Sequence, residues 1–221
     1  FETDFRAYKC DATMAWVEAR SVPARLADDS MTWHGYFFAV TDRKQSESEI
    51  EKLAFYDPLT GLPNRLLFQD RLEQTLIRAS QESEEIAVLY LDLDGFKKVN
   101  DLRGNATGDT LLYEVAACLS QYIGSTATLA RIGGDEFAIL LPHVDDARNA
   151  AHMVSKKIQR CFNEPYIFGG HELYLGVAIG IAIYPINGHY PDTLVRRADM
   201  AMYTSKRSDF EFQFYKEGID E

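Results

Sequence analysis

The sequence contains few cysteines, and their spacing gives no framework. Cys10, Cys118 and Cys161 are the three cysteines among 221 residues, and no two of them form a CxxC pair. This pattern indicates neither a zinc site nor a disulfide framework, and it is typical of a protein from a reducing compartment. We therefore expect a cytoplasmic protein.

Long apolar runs are also missing. A membrane-spanning helix needs about 20 consecutive apolar residues, and no segment of the chain approaches that length. No signal-peptide pattern is present, and the chain begins with Phe1 rather than Met, which suggests an excised fragment. We expect no membrane segment in this fragment.

Positive charge is scarce as well. The chain has 23 Lys and Arg against 34 Asp and Glu, which gives a formal net charge of −11. Such a balance argues against binding to a nucleic-acid backbone. A small phosphorylated ligand requires local Lys or Arg side chains, helix N-termini or a bound metal. With 46% hydrophobic and 26% charged residues, the composition is that of an ordinary globular protein.

The first 42 residues differ in pattern from the rest. They are rich in aromatic and β-branched residues and read as three strands. Three strands alone bury too little to form a large core, so this segment needs missing upstream chain, a second copy or the next domain as a partner. Residues 43–56 are polar and helix-forming, with Thr41 or Asp42 as the expected N-cap.

Residues 57–217 alternate between helix and strand patterns. Pro63 suits the first turn of a helix, and residues 84–94 form an apolar run typical of a strand buried on both faces. Asp109 can cap a further helix, and residues 145–162 and 193–206 read as helices. FEFQFY (210–215) alternates like a final strand. The pattern predicts an α+β fold, a split-βαβ (ferredoxin-like) sheet layered by helices.

Two acidic turns stand out in this pattern. Asp92-Leu93-Asp94-Gly95 ends the buried strand, and Gly133-Gly134-Asp135-Glu136 forms the tip of a predicted hairpin. Two like charges about 5 Å apart cost on the order of 3 kcal/mol at an effective dielectric near 20. If the strands are neighbours, their carboxylates meet at one sheet edge, where hard oxygen ligands suit Mg²⁺. The alternative is that turns collect Gly and Asp without a function.

Five ordered motifs carry a family resemblance. DPLTGLPNR, YLDLDGFKKVND, GD at 108–109, RIGGDEFAILLP and RRADMAMYTSK resemble the GGDEF family of diguanylate cyclases over about residues 53–217. The resemblance implies a palm-like fold of the nucleotidyl-cyclase type. It also implies the condensation of two GTP into cyclic di-GMP and two pyrophosphates. Because each domain of the family holds one GTP, a homodimer is needed.

The resemblance also implies roles for individual residues, with Mg²⁺ or Mn²⁺ as the cofactor. The implied metal ligands are Asp92, the Leu93 carbonyl, Asp135 and Glu136. Glu136 is alternatively the base that activates the 3′-hydroxyl, and Asp135 and Lys97 complete the catalytic set. The implied GTP contacts are Asn100, Asn105, Asp109, Gly133, Gly134, Lys206 and Arg207. Four of these residues have a plainer alternative: Asp109 as a helix cap, Asn100 as a loop residue, and Lys97 and Lys206 as solvated surface residues.

The chain departs from the family pattern at two places. Asn105 stands where the family often has His, and Asp209-Phe210-Glu211 replaces a Gly-Arg-Asn whose arginine binds phosphate, a role for which Arg207 is a substitute. Residues 1–42 resemble the last strands of a PAS sensor domain, and FYKEGIDE (214–221) resembles a junction to an EAL phosphodiesterase domain. The alternative function is therefore a weakly active or inactive GTP-binding module that regulates an adjacent EAL domain.

Overall fold

The chain divides into two compact units, Phe1–Ala54 and Phe55–Glu221. The computed structural model describes residues 1–208 and 212–218. Within that part of the chain, no helix combines the length and apolar character needed to cross a bilayer.

The first unit is a three-stranded antiparallel sheet in the order β1-β2-β3, followed by a helix. Ion pairs join the helix to the sheet: Lys44 Nζ lies 2.8 Å from Asp4 Oδ2, and Arg43 Nη2 lies 2.6 Å from Glu18 Oε2. The three strands and the helix predicted from the sequence are confirmed, but Thr41 and Asp42 are the first residues of the helix, so neither is its N-cap. The elements are β1 (Glu2–Tyr8), β2 (Met14–Arg25), β3 (Met31–Ala39) and α1 (Thr41–Phe55).

The second unit is a mixed α+β domain, as the sequence predicts. Its helices are α2 (Arg65–Glu82), α3 (Phe96–Arg103), α4 (Asn105–Tyr122), α5 (Ala147–Gln159) and α6 (Pro191–Lys206), with a 3₁₀ turn at Arg160–Phe162. Its strands are β4 (Glu85–Asp94), β5 (Thr128–Gly133), β6 (Glu136–Val144), β7 (Tyr166–Phe168), β8 (His171–Leu173), β9 (Gly176–Tyr184) and β10 (Gln213–Phe214).

The central sheet has the order β10-β9-β4-β6-β5. Strand β4 is antiparallel to both β6 and β9, so both of its edges are hydrogen-bonded. Alternate residues of β4 enter two apolar clusters on opposite faces of the sheet, which explains its unbroken apolar run. Ala87, Leu89, Leu91 and Leu93 pack with α3, α4 and α5, whereas Ile86, Val88 and Tyr90 pack with α2 and α6.

Several details of the predicted elements in the second unit are wrong. Helix α2 begins at Arg65 with Asn64 as its N-cap, so Pro63 lies outside it. Helix α4 begins at Asn105, and Asp109 is therefore a helical residue rather than a cap. The 145–162 helix is shorter and ends in the 3₁₀ turn, and strand β7 was not predicted. Of the predicted final strand, Gln213–Phe214 is formed, and residues 210–211 lie outside the described residues.

The structure also joins two cysteines. Cys118 on α4 and Cys161 in the 3₁₀ turn form a disulfide with their Cα atoms 6.0 Å apart, while Cys10 is free and exposed. The reading of the sequence as free of disulfides is therefore wrong. The two cysteines are 43 residues apart, and packing of α4 against the end of α5 brings them together, which no local spacing reveals.

Candidate functional site

The two acidic turns meet at one end of the central sheet. Asp92 on β4 is directly opposite Glu136 on β6, so their side chains are on the same face. The Leu93 N–H donates to the Asp135 carbonyl at 3.3 Å, which links the end of β4 to the hairpin turn. The predicted adjacency of the two strands is confirmed, and with it the meeting of the carboxylates.

The glycines shape the hairpin tip. Gly133 on β5 is paired with Glu136 on β6, which leaves Gly134 and Asp135 as the two turn residues. Gly134 has φ 53°, the left-handed region that glycine adopts without strain. A Cβ at either glycine would meet no atom within 4 Å, so the backbone of the tip is open to an approaching ligand.

Lys206 supplies positive charge to this cluster. Its Nζ lies 2.5 Å from Asp92 Oδ1 and 3.8 Å from Asp94 Oδ1. Burial opposes the charged ammonium, but the hydrogen bond and charge of Asp92 outweigh it and raise the pKa of Lys206. The position of Lys206 at the end of α6, which packs on β4 and β9, fixes it beside the carboxylates.

One lysine does not neutralise the cluster. Burial, and after it the charge of Asp92, raises the pKa of Asp135 above its usual value. Burial also raises the pKa of Asp94, against the opposing charge of Lys206. Asp199 on α6 shows the same direction, because of burial and the charge of Asp92. Burial, together with the neighbouring carboxylates, therefore disfavours the charged forms of these three acids more than one ammonium favours them.

The donor set fits a hard divalent cation in its chemistry. Carboxylate oxygens and a backbone carbonyl are the ligands that Mg²⁺ and Mn²⁺ take, and partly buried carboxylates are stabilised in their charged form by added positive charge. Within the described residues, no three His, Cys, Asp or Glu side chains converge closely enough to be a preformed metal centre. The assignment of Asp92, Leu93, Asp135 and Glu136 to a metal accordingly stays a prediction.

A second group of predicted contacts surrounds the start of α4. The Asn100 Oδ1 atom is buried and has no hydrogen-bond partner within the described residues. A buried acceptor without a partner is costly, so a ligand donor would satisfy it. Gly108 faces this amide, whereas Asp109 and Asn105 are exposed on the same helix.

Gly108 keeps the Asn100 amide in place. A Cβ at residue 108 would overlap Asn100 Oδ1 and would lie 3.1 Å from Cζ of the buried Phe96 ring, so Gly108→Ala would displace the amide and also press on that ring. We expect GTP affinity to fall about tenfold, the effect of losing one hydrogen bond to a buried partner. Gly124→Ala is the matched control, because a Cβ there meets nothing within 4 Å. Equal GTP titration curves for Gly108→Ala and the parent would contradict the role of Asn100.

Two predicted cations are not drawn into the carboxylate cluster. Lys97 is exposed on α3, and the Arg207 guanidinium lies 5.8 Å from the Tyr203 ring centroid. The residues that replace the family arginine, Asp209-Phe210-Glu211, lie outside the described residues.

Arg131 is a structural residue of the site that the sequence analysis missed. Its Nη1 lies 3.0 Å from both carboxylate oxygens of Asp57, and its Nε and Nη2 donate to the Gly134 carbonyl at 3.1 and 2.8 Å. Partial burial acts to raise the pKa of Asp57, but hydrogen bonds from Thr60 and Arg131 hold it below its usual value. One guanidinium thus ties the DPLTGLPN loop to the hairpin tip.

Tyr90 is a second residue that was missed. It is 5% exposed, and its hydroxyl donates to Glu136 Oε2 at 3.0 Å. Burial, followed by the charge of Glu136, raises the pKa of Tyr90 well above its usual value. The available signal was a tyrosine two residues before Asp92, on the same face of an otherwise aliphatic strand.

The sheet order, the flanking helices and the acidic edge, formed by Asp92, Asp94, Asp135 and Glu136 at the ends of β4 and β6, define a palm-like cyclase domain. The family described as "Diguanylate cyclase, GGDEF domain" matches residues 54–211. The chain belongs to this family of cyclic di-GMP signalling domains.

Curated relatives support the assignment. The chain is 42% identical over 166 residues to the "Bifunctional diguanylate cyclase/cyclic di-GMP phosphodiesterase MucR" of Pseudomonas aeruginosa, covering 75% of this chain and 24% of that protein. It is 36% identical to "Diguanylate cyclase TpbB" of Pseudomonas aeruginosa, covering 82% and 40%. The chain thus spans less than half the length of either relative.

Solved structures confirm the palm-like fold. The GGDEF-only structure of TpbB from Pseudomonas aeruginosa has a TM-score of 0.71 at 36% identity and covers 74% of this chain and 96% of that chain. The coiled coil and GGDEF domain of DgcB from Caulobacter crescentus, in complex with c-di-GMP, also has a TM-score of 0.71, at 26% identity, with 79% and 93% covered.

Proposed function

We propose that this chain is a diguanylate cyclase that condenses two GTP into cyclic di-GMP and two pyrophosphates. The observation that carries the proposal is the meeting of Asp92, Asp135 and Glu136 at one sheet edge with Lys206 beside them. Phosphoryl transfer depends mainly on positioning and charge neutralisation, and this edge offers both. Membership of the family and the likeness to TpbB support the same reaction.

In this proposal, separate groups of residues bind the guanine base and the phosphates of GTP. Asn100 and Asp109 hold guanine, whose Watson–Crick edge offers both donors and an acceptor. Asn105 lies at the start of α4, the helix that carries Asp109. The open backbone at Gly133 and Gly134 admits the phosphates, which Lys97, Lys206 and Arg207 neutralise. This assignment predicts discrimination against ATP, since adenine would leave the buried Asn100 amide unpaired.

The carboxylates are assigned to a cation and to proton transfer. Asp92, the Leu93 carbonyl, Asp135 and Glu136 would hold Mg²⁺ or Mn²⁺, which when bound polarises phosphoryl oxygens and neutralises charge. Glu136 is alternatively the base that accepts the proton of the attacking 3′-hydroxyl. The reaction joins two GTP molecules, so a homodimer that brings two such edges face to face is part of the proposal.

The remaining assignments concern the context of the domain. We assign residues 1–42 to the last strands of a PAS sensor domain, residues 43–56 to a helical linker, and residues 57–217 to the GGDEF domain. The supporting observation is the antiparallel β1-β2-β3 sheet followed by α1. We propose a cytoplasmic location because the substrate GTP is supplied there. The cysteine spacing supports a reducing compartment less strongly, because Cys118 and Cys161 form a disulfide.

A second function is favoured by two observations. The chain covers 24% of MucR, which is described as bifunctional, and it is 35% identical to "Cyclic di-GMP phosphodiesterase PdeR" of Escherichia coli. In addition, Phe210 stands at the position of the family's phosphate-binding arginine, between the acidic residues Asp209 and Glu211. The alternative is therefore a GTP-binding module of low turnover that regulates an adjacent EAL domain.

One experiment separates these two functions. Incubation with GTP and Mg²⁺ or Mn²⁺, followed by chromatography, should yield cyclic di-GMP and two pyrophosphates per product. Binding of GTP without product would support the regulatory alternative. Failure to bind GTP in either metal would contradict both.

A further inference from the structure

Among the residues that the structure describes, the hydroxyl of Tyr90 has Glu136 as its hydrogen-bond partner, and its ring lies in a largely apolar cluster. The ring of Tyr90 packs in the cluster between the sheet and helices α2 and α6, beside Val88, Ala138 and Leu140. Transfer of a hydroxyl into such a setting costs free energy unless it is hydrogen-bonded, and the bond to Glu136 Oε2 provides that compensation. A phenylalanine would fill the same space, so packing alone does not account for the hydroxyl.

The geometry links this hydroxyl to the acidic edge. Tyr90 and Asp92 are on the same face of β4, and their partners across the strand pair on β6 are Ala138 and Glu136. The bond from Tyr90 to Glu136 therefore runs diagonally across the pair, which is within reach of a long aromatic side chain. It fixes one carboxylate oxygen of Glu136 from the face of the sheet that packs with α2 and α6.

We propose that Tyr90 is a positioning residue that acts through Glu136, an inference that rests on the proposed cyclase function. With Oε2 held by the Tyr90 hydroxyl, the carboxylate cannot rotate freely. Its other oxygen then keeps one orientation at the ends of β4 and β6, where Asp92 and Asp135 converge. A carboxylate held in one orientation serves either of the roles assigned to Glu136, since both require a fixed oxygen atom.

The effect should fall on turnover rather than on GTP binding. The guanine contacts proposed at Asn100 and Asp109 belong to α3 and α4, on other elements of the domain. Loss of an interaction that matters only in the transition state lowers kcat and leaves KM unchanged. A residue needed only for folding would instead lower stability and the active fraction, with no selective effect on kcat per folded molecule.

The test is Tyr90→Phe in the full chain, with Tyr166→Phe as the matched control. The Tyr166 hydroxyl is also buried but has no hydrogen-bond partner within the described residues, so its removal tests the loss of a buried hydroxyl alone. We expect Tyr90→Phe to lower kcat about tenfold, the effect of one hydrogen bond to a charged group, with KM and GTP affinity within about twofold of the parent. Tyr166→Phe should change kcat less than about twofold.

Each outcome has one meaning. An unchanged kcat in Tyr90→Phe, with an active parent, overturns the positioning role and leaves the cyclase assignment standing. A fall in GTP affinity together with lost circular dichroism shows that the hydroxyl is structural, which also overturns it. A parent that forms no cyclic di-GMP refutes the proposed cyclase function itself, and the inference falls with it.

Discussion

Asp135→Asn is expected to reduce cyclic di-GMP formation at least about 100-fold without lowering the stability of the fold. The site needs the charge of Asp135, because an amide is a weaker ligand for Mg²⁺ or Mn²⁺ than a carboxylate. The fold does not need it, because burial and the charge of Asp92 already raise the pKa of Asp135 above its usual value. Product formation, Mn²⁺ titration and thermal unfolding measure the three consequences.

The control for this variant is Asp145→Asn, which removes the same charge from an exposed position before α5. It should leave product formation within about twofold of the parent. Tight metal and GTP binding by Asp135→Asn, equal to that of the parent, would show that the acidic turns are not the metal site.

The pH dependence of stability should change in Asp135→Asn as well. A carboxyl group whose folded-state pKa is raised stabilises the fold at low pH, and that stability is lost as the pH rises through the unfolded and then the folded value. The variant does not lose stability in this way, because its amide at residue 135 does not ionise. Its unfolding free energy relative to the parent should therefore be higher at neutral pH than near pH 4, and equal differences at both pH values would contradict the raised pKa of Asp135.

Local pattern was sufficient to predict the parts of the site that are close in sequence. The apolar run before Asp92 predicts a strand buried on both faces, because successive side chains point to opposite faces and nearly all of them are apolar. The paired glycines predict the hairpin, because Gly134 adopts a positive φ at the turn. The adjacency of the two acidic turns followed from these two elements once both were placed in one sheet.

Contacts between distant residues could not be predicted in this way. Arg131 and Asp57 are 74 residues apart, and their pairing depends on the path of the DPLTGLPN loop past β5. Helix α4 begins at Asn105 after Gly104, which gives no side-chain hydrogen bond to the cap, so no capping residue marks the start. Asp109, which can cap a helix, pointed instead to an N-cap five residues too late.

Arg131→Lys is expected to lower both stability and turnover, because one guanidinium makes the contacts that join two loops. The Arg131 side chain is 12% exposed and that of Asp57 is 17% exposed. A lysine ammonium cannot bind both Asp57 oxygens and the Gly134 carbonyl together, since it lacks the planar fork of donors. The loss of these largely buried contacts should reduce the unfolding free energy by about 2–3 kcal/mol and Tm by about 5–10 °C.

Turnover should fall further than stability alone explains, by about 100-fold at a temperature where the variant is fully folded, because small displacements of a catalytic loop have effects of that size. Arg78→Lys is the control, since Arg78 forms an exposed ion pair with Glu82 four residues along α2, and it should change the unfolding free energy by less than about 0.5 kcal/mol. A kcat of Arg131→Lys equal to that of the parent would mean that the hairpin tip holds its shape without the clamp. In that case the β4–β6 pairing alone, through Asp92 and Glu136, would be what fixes the acidic edge.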